Sequence, residues 1–144
     1  MPSISRSALV EHSVEQMFDL VNDVTAYPDR FSWCKTAEVF ESSPERMKAR
    51  LDLGIGSFRT WFTTENRLDR PRRIDMQLRD GPFKRLHGIW EFKGLGESAS
   101  KVSLTLDFEP NSVLLTPVLT LGFQTLADRM VNDFVRVADQ LGDG

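Results

Sequence analysis

Between Met47 and Phe108, apolar and polar side chains alternate in five separate stretches. The apolar sets are Met47, Ala49, Leu51 and Leu53; Phe58, Thr60, Phe62 and Thr64; Ile74, Met76 and Leu78; Leu86, Gly88, Trp90 and Phe92; and Val102, Leu104, Leu106 and Phe108. A period of two puts each set on one face of a strand and its polar neighbours on the other. Gly54-Ile55-Gly56, Asp69-Arg70-Pro71, Asp80-Gly81-Pro82 and Gly94-Leu95-Gly96 supply turns between the stretches. Connections this short exclude parallel crossovers, so the segment reads as an antiparallel meander covered on one face only.

The cover lies at the end of the chain. Leu119, Phe123, Leu126, Met130, Phe134, Val137 and Leu141 step by three or four, which predicts a long helix from near Thr116 to Leu141 with a buried stripe. At the other end, Ile4, Arg6, Ala8 and Val10 alternate as a weak first strand. Ser13 with Gln16 forms a capping box before the stripe Val14, Met17, Phe18 and Val21. Asp23 to Trp33, broken by Pro28, reads as a short kinked second helix or an ordered loop. The fold class is therefore α+β: a curved antiparallel sheet of six to seven strands gripping a long C-terminal helix, with two short helices after the first strand. With 144 residues and no linker or repeat, residues 1–144 are expected to form a single domain.

Composition narrows the function. Eighteen Lys and Arg against 21 Asp and Glu exclude a globally basic DNA binder. One cysteine and two histidines exclude a disulfide framework and make a metal site a poor expectation. No apolar run reaches the ~18 residues of a membrane span, and no secretory signal is visible, so a cytoplasmic protein is expected. The inward face holds no acid–base pair, Thr60 and Thr64 being its assigned polar groups. His87 falls outward by register, and Cys34 has no histidine placed to activate it. Binding is favoured over catalysis, and no cofactor is expected. Small inward residues (Ala49, Thr60, Thr64, Gly88) leave room for an apolar cavity, unless bulky neighbours fill it as in an ordinary core.

The outward face carries ten bases against six acids, a net of about +4. It reads either as a solvated sheet face with cross-strand pairs or as a docking surface for phosphate around Trp61. The second reading rests on Lys48, Arg50, Arg59, Arg73 and Arg85.

Two motifs also resemble a known family. Asp23-Val24, Tyr27-Pro28, Phe31 and Trp33-Cys34 are similar to the signature after the first helix of the coenzyme-Q-binding, START-like family. Gly81-Pro82-Phe83, Leu86, Gly88, Trp90 and Phe92 resemble its second signature; Phe108-Glu109 and the helix bearing Met130 and Phe134 agree with its third region. The loop Asp29-Arg30-Phe31-Ser32-Trp33 departs from the family's usual run. The resemblance covers nearly the whole chain and implies a helix-grip fold with an apolar tunnel between sheet and C-terminal helix. It implies ubiquinone or a related polyprenyl lipid as bound ligand, carried in support of respiration, with peripheral contact at the inner membrane.

Bacterial members of this type also include RatA-type ribosome-association toxins, which makes a ribosomal subunit the alternative partner. The wider superfamily includes polyketide cyclases, a remote alternative. On the ligand reading, Phe62, Met76, Phe83, Leu86, Trp90 and Phe108 line the tunnel from the sheet. Leu119, Phe123, Met130 and Phe134 line it from the helix, and Tyr27, Phe31 and Trp33 from the loop. Tyr27–Trp33 and Val113–Phe123 are expected to meet as its gate.

Overall fold

The computed structural model describes residues 3–141; the expected domain's remaining residues, 1–2 and 142–144, lie outside the described part. The elements run β1 (Ser3–Val10), α1 (Val14–Asn22), a 3-10 turn (Val24–Ala26), α2 (Tyr27–Arg30), β2 (Cys34–Ser42), β3 (Arg46–Ile55), β4 (Phe58–Asp69), β5 (Arg73–Asp80), β6 (Phe83–Gly96), β7 (Ala99–Pro110), a second 3-10 turn (Val113–Leu115) and α3 (Thr116–Leu141). All seven strands form one sheet in the order β1-β7-β6-β5-β4-β3-β2, and every pairing is antiparallel.

The alternating segments become strands because their apolar parity is continuous, and the sheet closes on the chain's first strand: Ser3 lies opposite Asp107 and Val10 opposite Ser100. The capping box forms as expected, with the Ser13 hydroxyl accepting the Gln16 amide at 3.1 Å. The 26-residue α3 packs against β1 and β7 near one edge of the sheet and also against β3 near the other. In a flat sheet β7 and β3 would stand roughly 19 Å apart at ~4.8 Å per strand, and β1 farther still, so the sheet must curl around the helix. This is the START-like helix-grip arrangement.

Two details differ from the sequence reading. Gly94-Leu95-Gly96 is not a turn: β6 continues through it, and the reversal falls at residues 97–98. Leu141, the expected last residue of the buried stripe, is 53% exposed, although Val137 and Ala138 one turn before it are buried. Close approach of α3 to the β3–β4 turn depends on Gly122, where an added Cβ would lie 2.4 Å from the Phe58 ring.

Candidate functional site

An apolar cavity of about 60 Å³ lies between the concave face of the sheet and α3. Ala49, Leu51 and Leu53 line it from β3; Phe62, Thr64 and Asn66 from β4; Ile74 and Met76 from β5; Trp90 from β6; and Leu104 and Leu106 from β7. Phe123, Leu126, Ala127 and Met130 close it from α3, while Val21, Asn22, Val24 and Tyr27 close it from the α1–α2 region. The small side chains Ala49 and Thr64, opposite each other in register, are where the sheet leaves the space open.

Of the residues expected to line a tunnel, the structure brings Tyr27, Phe62, Met76, Trp90, Phe123 and Met130 to the cavity wall. The others lie elsewhere. Phe31 and Trp33 stack on each other with ring centroids 4.7 Å apart, and both pack on Phe134, at 4.8 and 6.0 Å. Phe83 and Phe108 pack on Phe123, at 5.7 and 4.8 Å. Leu86 is buried in the core and Leu119 is half-buried against it, neither on the cavity. These rings fill the two ends of the space between sheet and helix, so the void is a short chamber and not a tunnel.

The expected gate does not assemble. Tyr27, Phe31 and Trp33 are buried and close on Phe134, eleven residues beyond Phe123, a rise of roughly 16 Å along the helix. Tyr27 is tied further inward: its hydroxyl donates to the Val21 carbonyl, and burial pushes its phenol pKa up. The other segment is open to solvent instead, with Val113, Leu114, Leu115, Val118 and Leu121 all more than half exposed. No charged side chain occurs from Asn111 to Ala127.

Polar groups on the cavity wall are few. Thr60 and Thr64 are buried as their register demands, although Thr60 does not reach the cavity. Asn66 was missed by the sequence reading, yet it continues the inward parity of Phe58 to Thr64, and only 5% of it is exposed. The Thr64 hydroxyl donates to Asn66 Oδ1 at 2.7 Å. No Lys, Arg or His lines the cavity. Among the described residues no group of His, Cys, Asp and Glu side chains is arranged to hold a metal ion.

Cys34 is buried, its thiol 3.4 Å from the Thr36 carbonyl, and burial pushes its pKa up to about 11, so the nucleophilic thiolate is suppressed. His12 is buried with Nε2 2.7 Å from Asp139 Oδ1, and His87 lies 2.8 Å from Asp75 on the outer face. Neither histidine lines the cavity.

The outer face is more self-paired than its net charge suggests. Arg50 reaches both oxygens of Asp52, at 3.1 and 3.2 Å, and lies 4.1 Å over the Trp61 ring. Arg73 pairs with Asp75, Arg79 and Arg46 with Glu65, and Arg85 with Glu109. Arg59 donates to the Gly56 and Phe58 carbonyls, and Lys48 stands opposite Glu65 in register.

These contacts hold carboxylates below their usual range. For Asp52 the Arg50 hydrogen bond is the main cause, and for Glu65 the Arg79 hydrogen bond. Asp75 is raised by burial but lowered further by His87 and Arg73, for a net depression. A carboxylate depressed in the folded state stabilises above its unfolded pKa and loses that contribution as pH falls through the folded value. The unfolding midpoint is therefore expected to hold steady near neutrality and fall from about pH 5 downward, which a series of thermal melts checks. A midpoint unchanged down to pH 3 would mean that these pairs contribute nothing.

The chain's relatives agree with this geometry. Residues 10–135 match the family model described as polyketide cyclase / dehydrase and lipid transport. Over 138 residues the chain is 43% identical to a protein of Pseudomonas aeruginosa named ribosome association toxin RatA, covering 96% of each. It is 27% identical over 136 residues to the mitochondrial coenzyme Q-binding protein COQ10 of Drosophila melanogaster, covering 92% of this chain and 56% of that one.

Among solved structures, a START superfamily protein from Mycobacterium smegmatis superposes with a TM-score of 0.84 at 20% identity, covering 97% of this chain and 99% of that one. The Zhui aromatase/cyclase from Streptomyces gives 0.88 at 17% identity, covering 96% and 94%. Likeness at that identity carries the fold alone. The match over most of the chain, the seven-stranded sheet and the gripped helix agree: the chain belongs to the polyketide cyclase / dehydrase and lipid transport family, with the START-like fold.

Proposed function

We infer that this chain is a non-catalytic binding protein that encloses an apolar small molecule between sheet and helix. The observation that carries this reading is the cavity itself: closed over by apolar side chains, free of Lys, Arg and His, and without a paired acid and base. A quinone or related polyprenyl lipid is the ligand class in view, supported by the relative named for coenzyme Q binding. A cavity of about 60 Å³ is below the ~300–1,000 Å³ of typical ligand sites, so occupancy requires the wall to yield. Met76 and Met130, unbranched and partly buried, are the wall groups best able to move aside. The exposed apolar segment from Val113 to Leu121 supplies peripheral contact with a membrane from which such a ligand is drawn. Organic extraction of the purified protein followed by mass spectrometry tests the reading. A stoichiometric lipid is expected, and an empty protein that also binds no added quinone would sink it.

A second reading has its own support, the near full-length similarity to proteins named ribosome association toxin. On this reading the chain acts in the cytoplasm by binding a ribosomal subunit and blocking subunit joining. Trp61 with Arg50, and the solvent-facing Lys48 and Arg59, are the side chains suited to RNA. Co-sedimentation with purified subunits across a salt series is the test. Binding that weakens steeply with salt is expected, and subunits pelleting without the protein at low salt would rule it out. The two readings are compatible, since the ligand is held inside the sheet and the subunit would be met outside it.

A further inference from the structure

The cavity wall is apolar except at one place. There Asn66 and Thr64, 5% and 4% exposed, stand on β4, and Asn22 closes the last turn of α1. Thr64 donates its hydroxyl hydrogen to Asn66 Oδ1, which leaves the Asn66 amide hydrogens without an acceptor among the described residues. Asn22 Oδ1 is shielded from solvent and accepts no hydrogen bond. Asn66 therefore offers the cavity an unused donor pair, while Asn22 Oδ1 is an unmatched acceptor sealed beside it. Leaving a buried polar group unmatched costs about 1–3 kcal/mol, a cost that an occupant meeting Asn22 Oδ1 would remove.

Position supports the same conclusion. Asn22 and Val24 line the cavity and also an outer groove between the end of α1 and the β2–β3 hairpin, where Met47 stands opposite Asn66 in register. The polar groups thus sit at the end of the chamber nearest solvent. The carboxylates in that groove are neutralised in place: Asp19 takes two hydrogen bonds from Arg70 at 2.8 Å, and Asp23 pairs with Arg30 at 3.2 Å. Among the described residues no Lys, Arg or His lines the cavity. An anionic head would therefore be buried without a counter-charge, which is far costlier than burying a neutral one.

We propose that Asn22, Thr64 and Asn66 form the head-group subsite of the cavity, selective for a neutral head that carries a carbonyl or hydroxyl oxygen, with the apolar body lying toward Trp90 and Phe123. The Asn66 amide donates to that oxygen, and Asn22 Oδ1 accepts where the head bears a hydroxyl. Carboxylate lipids are rejected. This rests on reading the cavity as a ligand site and adds the head chemistry to it.

Three probes matched in tail and differing in head separate the possibilities: 4-heptylphenol, heptylbenzene and 4-heptylbenzoate. Binding is followed by the quenching of tryptophan fluorescence and by the side-chain amide signals of the asparagines in nitrogen-15 spectra. The phenol is expected to bind about tenfold more tightly than heptylbenzene, as one or two net hydrogen bonds would give, and to shift the Asn66 amide pair. The benzoate is expected to bind most weakly at pH 7.5. Asn66→Leu should remove the preference for the phenol while keeping heptylbenzene binding. Asn22→Leu, at a half-exposed helix end, gives the same readout if the first variant folds poorly.

Equal affinity of the native protein for phenol and heptylbenzene would overturn the subsite and leave the ligand reading standing, the asparagines then meeting only water. A phenol preference that survives both substitutions would also overturn it. Absence of binding by all three probes would overturn the ligand reading and the subsite together.

Discussion

Phe134→Ala is expected to cost about 3–5 kcal/mol of unfolding free energy, the range for deleting a buried phenyl ring with incomplete collapse around it. Phe134 is 1% exposed, and four aromatic rings meet it: Phe31 at 4.8 Å, Trp90 at 5.4 Å, Tyr27 at 5.5 Å and Trp33 at 6.0 Å. Two of those rings come from the short loop between α2 and β2, one belongs to α2, and one to β6, so a single side chain of α3 ties three parts of the chain together. Against a typical total of ~5–15 kcal/mol the loss is large, equivalent to a melting temperature lower by roughly 10–15 °C in a domain of this size. Calorimetry measures it directly. A shift of only a degree or two would mean that the ring cluster is loosely packed and that the chamber is not sealed at that end.

Ala49→Leu is expected to abolish ligand binding, by a factor of at least about 100, while leaving the fold intact. Ala49 is buried, faces Thr64 across the β3–β4 ladder, and lines the cavity. Three added carbons enter a void of about 60 Å³ and take the place of any occupant. Because the void receives them, the usual overpacking cost of ~1–3 kcal/mol should be largely offset, and the melting temperature should move by a few degrees at most. The same variant separates the two functional readings. If ribosomal-subunit binding persists in Ala49→Leu, the outer surface acts without help from the cavity. If it disappears with ligand binding, the occupant controls the surface. Retention of full quinone affinity would place the ligand outside this chamber.

The fold was legible because its signals are local and repeated. The parity of β3 through β7 and the three-four stripe of α3 each survive without knowledge of their partners, and the motif at Gly81-Pro82-Phe83 falls where β6 begins. What the sequence hid is set by partners far along the chain. Phe31, Trp33 and Phe134 look like ligand contacts when taken one at a time, but their rings satisfy one another. Gly94 and Gly96 look like a turn, yet the long β7 beside them extends the ladder to Gly96 opposite Ala99. Asn66 carried a signal, its even parity with Phe62 and Thr64, which its polarity masked. The basic outer face was open to two readings in the sequence, a solvated face with cross-strand pairs or a docking surface. Only the register shows that the cross-strand neighbours of many of those bases are acids.

The pairing of β1 with β7 also bears on how the protein is made. Val10 must find Ser100, and Ser3 must find Asp107, so the sheet lacks its first strand until nearly three-quarters of the chain has been synthesised. Closing a loop of that length is slow compared with forming the hairpins β3–β4 and β6–β7, whose partners are adjacent in sequence. At ~5–20 residues added per second, the N-terminal strand spends several seconds unpaired while the meander assembles. During that interval Ile4 and Val10 lack the β7 partner beside which they are buried in the finished fold.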